Sequence, residues 1–154
     1  MLSLRVLVLV AAAAFAAIAL YISAVEQPAR LLLDARAALM QWSAGFPTAL
    51  KIQGGLALLC GALGWVLWWR TRNLLWLAGA FVAVANWPFT MVWLSPINGK
   101  LLATPADQAG AATQSLIVQW GELHTVRGGL GLLAVALFAA ATLRDMRPAA
   151  SQPK

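Results

Sequence analysis

The chain has 154 residues, of which 62% are hydrophobic and only 10% are charged. A composition this apolar is not typical of a water-soluble domain, and it indicates a single integral membrane domain, residues 1–154, with several spans. The only cysteine, Cys60, excludes an intramolecular disulfide and a cysteine-rich metal site, and the only histidine, His124, excludes a histidine cluster. The net charge of +6 is better explained by basic residues that orient a membrane protein than by nucleic-acid binding.

The first apolar stretch, residues 6–25, has no charged residue and lies between Arg5 and Glu26. Crossing a bilayer takes about 20 residues, so we predict a first span over about residues 5–25. A cleaved signal peptide that ends near Ser23 is the alternative. The apolar stretch is longer than the roughly 7–15 residues of an ordinary signal peptide, which favours a retained span.

The segment after the first span differs in pattern. Residues 29–42 alternate apolar pairs with Arg30, Asp34 and Arg36, which predicts a short amphipathic helix lying at the membrane surface. Gly and Pro within residues 45–48 then predict a turn that leads into the second span.

Three further apolar stretches predict spans over about residues 49–69, 74–94 and 124–143. Small residues from Gly54 to Gly64 recur at three- and four-residue spacing, which favours close approach of a neighbouring helix. The short connection over residues 70–73 makes the second and third spans an antiparallel hairpin. Pro88 predicts a kink in the third span, and Asn86 requires a hydrogen-bond partner within the bilayer.

A longer connection precedes the fourth span. Pro105 and Asp107 are typical of a first helical turn, which predicts a partly helical cap that continues, with or without a break near Gly121, into the fourth span. The polar residues 144–154 predict a flexible tail. The predicted fold is therefore an all-α, four-helix transmembrane bundle with a short amphipathic interfacial helix and a partly helical cap.

The basic residues predict an orientation. One side of a four-span protein carries Arg5, Arg70, Arg72, Arg144, Arg147 and Lys154. The other side carries Arg30, Arg36, Lys51, Lys100 and Arg127. This nearly equal division gives a small preference for cytoplasmic termini. We expect a multi-pass protein of the bacterial inner membrane, with the lipid bilayer as its main partner.

The segment that opens the fourth span contains the candidate site. Trp120, His124 and Arg127 are four and three residues apart, so they share one face of a continuous helix, with Glu122 roughly opposite. Ionisable groups at this depth are costly and are usually functional. The alternative is that they are interfacial anchors, with Arg127 paired to Glu26 or bound to carbonyls of the preceding connection.

Four segments with a shared order and spacing support the functional interpretation. They are VEQPAR at residues 25–30, PFT at 88–90, PINGKLL at 96–102 and WGELHTVR at 120–127. Together they resemble the anthrone oxygenase-like family of small four-span membrane proteins, most of whose bacterial members are domains of unknown function. The resemblance implies an oxidoreductase that converts an anthrone to an anthraquinone with molecular oxygen, without a known metal or flavin. No cofactor and no metal site are therefore expected.

The family's pattern carries over to Asn98, Trp120, His124 and Arg127. We interpret His124 as a general base, because its ordinary pKa suits proton transfer near neutrality. Arg127 would stabilise the developing oxyanion. As substrate-binding residues, Asn98 would hydrogen-bond a carbonyl and Trp120 would stack on a flat aromatic ring. Glu26, at the end of the first span, would orient the imidazole.

Two other functions stay open. In a lipid- or small-molecule-binding module without catalysis, Arg127 and His124 would hold an acidic head group. In an assembly subunit of a membrane complex, the small residues from Gly54 to Gly64 would bind a partner and His124 would be dispensable. A homo-oligomer and a hydrophobic small molecule are further candidate partners.

Overall fold

A computed structural model describes residues 2–146 of the chain, and every regular element in that range is helical. Four helices are long and apolar enough to cross a membrane. They are α1 (Leu2–Leu31), α2 (Ala35–Thr71), α3 (Leu74–Ala103) and α4 (Ala111–Met146). The prediction of an all-α, four-helix bundle is confirmed, and the length and composition of the helices are those of a multi-pass membrane protein.

The four helices form a closed ring in which each helix packs against the next and α4 returns to α1. Glycines permit this close packing. A Cβ added at Gly64 or Gly79 would meet the ring of Phe138, and one added at Gly131 would meet the ring of Phe15. Phe138 and Phe15 are both buried, so the glycines of one helix receive aromatic side chains of another.

One end of the bundle is tied together by Asp145, near the end of α4. Its carboxylate accepts hydrogen bonds from Asn73 Nδ2 at 2.8 Å and Trp76 Nε1 at 3.0 Å. It also forms an ion pair with Arg5 at 3.1 Å. The beginning of α1, the beginning of α3 and the end of α4 are therefore joined at one carboxylate.

The predicted amphipathic helix over residues 29–42 is wrong as a separate element. Residues up to Leu31 belong to α1, and Asp34 caps the start of α2 by accepting a hydrogen bond from the backbone N–H of Ala37 at 2.9 Å. Leu39 and Trp42 are buried inside the bundle. The apolar side of this segment packs against protein, which is why it extends the second helix instead of lying on the membrane surface.

The predicted turn over residues 45–48 is also wrong, because α2 continues through it as an α-helix of 37 residues. Pro47 lies inside the helix. A proline removes one backbone donor, and neighbouring helices and local adjustment make this tolerable in membrane helices. Gly and Pro are therefore weaker signs of a turn here than in a water-soluble protein.

Two helices contain a π-helical turn, in which the helix widens locally. In α1 this turn is Ile22–Glu26, and in α3 it is Thr90–Leu94, directly after the α-helical segment that contains Pro88. Such turns insert a residue and redirect the side chains that follow, and they are frequent at functional sites.

The cap before α4 is partly helical, as predicted. Its first part is Ser95–Ala103, which continues α3, and a 3₁₀ turn follows at Ala106–Gln108. The last helix then runs without a break past Gly121 as far as Met146. It includes the first residues of the predicted tail, and the rest of that tail, residues 147–154, lies outside the described residues.

Candidate functional site

A cavity of about 570 Å³ lies among the four helices, toward the end of the bundle opposite Asp145. All of the site residues that the sequence predicts contribute to its lining, namely Glu26, Asn98, Trp120, His124 and Arg127. Both π-helical turns also border it, through Ile22 and Glu26 of α1 and Thr90 and Leu94 of α3. The predicted residues are thus brought together at one place.

His124 is held between aromatic and polar neighbours. Its imidazole is only 2% exposed and stacks on the indole of Trp120, with the ring centroids 4.8 Å apart. The Trp120 Nε1–H donates to Asn98 Oδ1 at 3.0 Å. The amide oxygen of Asn98 therefore fixes the indole. The predicted contact between Asn98 and a substrate carbonyl would use the amide nitrogen, Nδ2, as the donor.

The partner of the imidazole is Ser23, and the prediction that Glu26 orients it is wrong. Ser23 Oγ lies 3.2 Å from His124 Nδ1, and the tautomer of the ring decides which of the two donates. The Glu26 carboxylate is 3.4 Å from Arg30 Nη2 on the same helix. A glutamate and an arginine four residues apart pair readily along a helix, and the carboxylate is thereby directed to Arg30.

Arg127 is buried, with 6% exposure, and has no ion pair or hydrogen bond within residues 2–146. The alternatives in which it pairs with Glu26 or binds carbonyls of the preceding connection are therefore wrong for this part of the chain. Its guanidinium lies 5.8 Å from the ring centroid of Phe15. A buried charge without a counter-ion is unfavourable for folding, so a structural role alone does not account for Arg127.

The end of α1 is joined to α4 by a buried pair, Gln27 and Arg30, whose contacts could not be predicted from the sequence. Gln27 Nε2 donates to the carbonyl of Ile117 at 2.8 Å, and Arg30 Nη1 donates to Gln27 Oε1 at 2.6 Å. The Arg30 guanidinium also lies over the Trp120 ring, 5.6 Å from its centroid. These contacts hold the indole that in turn stacks on the imidazole.

A second polar group lies deeper, between α2, α3 and α4. Gln53, Asn86 and Thr90 are buried and, with Arg127, line a recess of about 20 Å³. Asn86 meets its predicted need for a partner only in part, because Nδ2 donates to the carbonyl of Ala83 at 3.3 Å and Oδ1 has no partner in the described part of the chain. Gln53 was not recognised from the sequence, where a single glutamine carries no sign of its neighbours.

The cavity is open between α1 and α2. Its lining residues on α3 and α4 are buried, whereas several on α1 and α2 are exposed. The exposed lining residues are Ala17, Tyr21, Gly45, Thr48 and Ile52. Most of these side chains are apolar or small.

Within residues 2–146 there is no group of three or more His, Cys, Asp and Glu side chains that could hold a metal ion. The expectation that the protein uses no cofactor stays a prediction.

The family model for anthrone oxygenase matches residues 42–137, which include Asn98, Trp120, His124 and Arg127 but not the α1 side of the cavity. No match was found among the curated proteins or among the solved structures. Because the matched range covers more than half of the chain, the chain belongs to the anthrone oxygenase family.

Proposed function

We propose that this protein is a cofactor-independent oxygenase that acts on a hydrophobic, aromatic substrate taken from the bilayer. The observation that carries the proposal is that His124 and Arg127 are buried at one cavity that opens between α1 and α2, where Arg127 has no counter-ion among residues 2–146. A potential base and a fixed positive charge are the two groups that oxidation of an acidic carbon through its anion requires.

The cavity suits a flat apolar molecule. Its volume of about 570 Å³ falls within the range of roughly 300–1,000 Å³ for small-molecule sites. The indole of Trp42 stacks with Phe46 and meets Trp120 edge to face, so that three aromatic rings border the space. An anthrone would bind against these rings with its ketone directed to a hydrogen-bond donor.

The first chemical step in this proposal is removal of a proton. In the tautomer in which His124 Nδ1–H donates to Ser23 Oγ, Nε2 is unprotonated and accepts a proton from the methylene carbon of the anthrone. The negative charge that remains is delocalised onto the ketone oxygen. Arg127 stabilises that oxygen electrostatically, in a site from which water is largely excluded.

Molecular oxygen then oxidises the anion. Oxygen adds to the deprotonated carbon and, with the proton from His124, gives a hydroperoxide. Loss of water from the hydroperoxide forms the second carbonyl. The substrate loses two hydrogens, one oxygen atom enters the product and the other leaves as water, so that anthrone and O₂ give anthraquinone and H₂O.

Oxygen uptake and quinone absorbance test this function in purified, detergent-solubilised protein supplied with an anthrone, after chelation of metals. We expect His124→Ala to lower the rate above spontaneous oxidation by at least about 100-fold, the usual contribution of a general base, and Arg127→Ala to lower it as well. Glu122→Gln, an exposed position on α4, is the control and should retain the wild-type rate. Full turnover by His124→Ala would refute the proposal.

A binding module without catalysis is the second candidate. Arg127 has no counter-ion within residues 2–146, and a bound acidic ligand would supply that counter-ion. Retention of such a ligand with no oxygen uptake above the spontaneous rate distinguishes this function from the oxygenase.

In either case we propose cytoplasmic termini in a bacterial inner membrane, which places the cavity toward the non-cytoplasmic side.

A further inference from the structure

We infer that Gln53 and Arg127 together bind an oxygen atom of the ligand, so that the cavity selects planar apolar molecules that carry a ketone or an ionised phenol. The inference rests on the proposed function in taking the cavity as the substrate site, and it assigns to α2 a specificity-determining residue. It makes no assumption about turnover.

The first observation is the position of Gln53. The side chain is 1% exposed, lies in the middle of α2 and lines both the main cavity and the small recess. Its Nε2 is buried without a hydrogen-bond partner in the described part of the chain. An amide that is buried without a partner lowers the stability of the fold, and in a bilayer no bulk water relieves that cost.

The second observation is that other incompletely bonded polar groups lie at the same recess. Arg127 Nε and Asn86 Oδ1 are also buried without partners within residues 2–146. Arg127, like Gln53, lines both spaces. The accessible surface of the recess is almost entirely apolar, so a polar atom of a ligand would meet Gln53 and Arg127 from the main cavity, which both residues also line.

The charges and the donor inventory determine which kind of atom this is. Arg127 offers only donors and a positive charge. The amide of Gln53 has two N–H donors, and its nitrogen has no hydrogen-bond partner in the described part of the chain. A ligand atom bound by both Gln53 and Arg127 must therefore be a hydrogen-bond acceptor, such as a ketone or a phenolate oxygen, whereas a ligand ammonium group would be repelled by Arg127.

A competing explanation is that Gln53 only ties α2 to α3 through Asn86. The two explanations differ in what they predict for Gln53→Met, which keeps the length of the side chain and removes the amide. If Gln53 serves a ligand, removal of a poorly bonded amide leaves the thermal midpoint unchanged or raises it. If Gln53 serves the helix contact, the midpoint falls.

The experiment measures the binding of two probes, 9-fluorenone and fluorene, to the purified protein in detergent under argon. The two molecules share a planar three-ring skeleton and differ at one carbon, which is a ketone in fluorenone and a methylene in fluorene. Partition of each probe into detergent is the same for every variant, so the ratio of the two Kd values can be compared between variants. We expect Gln53→Met to lower the preference for fluorenone by roughly three- to tenfold, the loss of about one hydrogen bond, and to leave fluorene binding unchanged. Gln41→Met, at an exposed position of the same helix, should retain the wild-type ratio.

A Gln53→Met protein that keeps the wild-type preference for fluorenone would overturn the inference, whatever its thermal midpoint. Gln53→Leu gives the same comparison should the methionine variant not be obtained in folded form. Because the assay uses binding without oxygen, loss of the preference would support the inference even if no anthrone were oxidised.

Discussion

Ser23 shows how an uncharged residue influences the imidazole at the centre of the site. Its hydroxyl is 3.2 Å from His124 Nδ1, and a hydrogen bond at one ring nitrogen determines which tautomer is present and whether the other nitrogen is a base. We expect Ser23→Ala to lower the rate of anthrone oxidation by roughly tenfold, corresponding to about one hydrogen bond, with little change in the thermal midpoint.

The matched control for this prediction is Ser3→Ala, which removes an exposed hydroxyl from the same helix and should leave the rate unchanged. Equal rates for wild type and Ser23→Ala would show that the contact is not needed for turnover.

At this scale the sequence identifies residues that lie close together along the chain. Trp120, His124 and Arg127 could be found from helical spacing alone, and Asn98 from the family resemblance. Ser23 and Gln53 could not, because each is a single polar residue in an apolar stretch and its partners come from other helices. Local spacing contains no information on which helices become neighbours.

Among the elements, α4 shows how closely the site depends on helix packing. Gly121 lies against the Gln27 side chain, and an added Cβ would collide with that amide. Because Gln27 connects α1 to α4 and holds Arg30, Gly121→Ala must displace this connection. We expect it to destabilise the protein by about 1–3 kcal/mol and to lower the thermal midpoint measured by tryptophan fluorescence in detergent.

Gly129→Ala is the control on the same helix, because an added Cβ there has no atom within 4 Å. It should leave the thermal midpoint unchanged or raise it, since alanine is the better helix former by about 1 kcal/mol. Similar midpoints for the two variants would contradict the role given to the Gln27 connection.

The sequence predicts the helices well and their ends poorly, for a physical reason. The length of an apolar stretch reflects the roughly 20 residues that a helix needs to cross the bilayer. Helical hydrogen bonding continues past the end of the apolar stretch, so α1 extends to Leu31 and α3 to Ala103. The turn predicted at residues 45–48 was wrong because turn signals reflect behaviour in water. In the bilayer the unbroken helix leaves fewer backbone groups without partners.

For the molecule as a whole, the two ends of the bundle are built differently. At one end Asp145 joins Arg5, Asn73 and Trp76 through a compact set of bonds. At the other end the cavity is lined by buried groups that have no partner in the part of the chain that the structure describes, above all Arg127. Proteins commonly show such unfavourable groups at functional sites, and here they lie at the cavity that opens to the surface between α1 and α2.

The central claim is that this cavity removes a proton from a substrate carbon by means of His124. The most direct test is exchange of the methylene hydrogens of anthrone with D₂O under argon, followed by mass spectrometry, with the detergent-solubilised protein. It separates proton removal from the reaction with oxygen. We predict that wild type accelerates the exchange above the spontaneous rate and that His124→Gln loses at least about 99% of this acceleration. Exchange by His124→Gln at the wild-type rate would contradict the account.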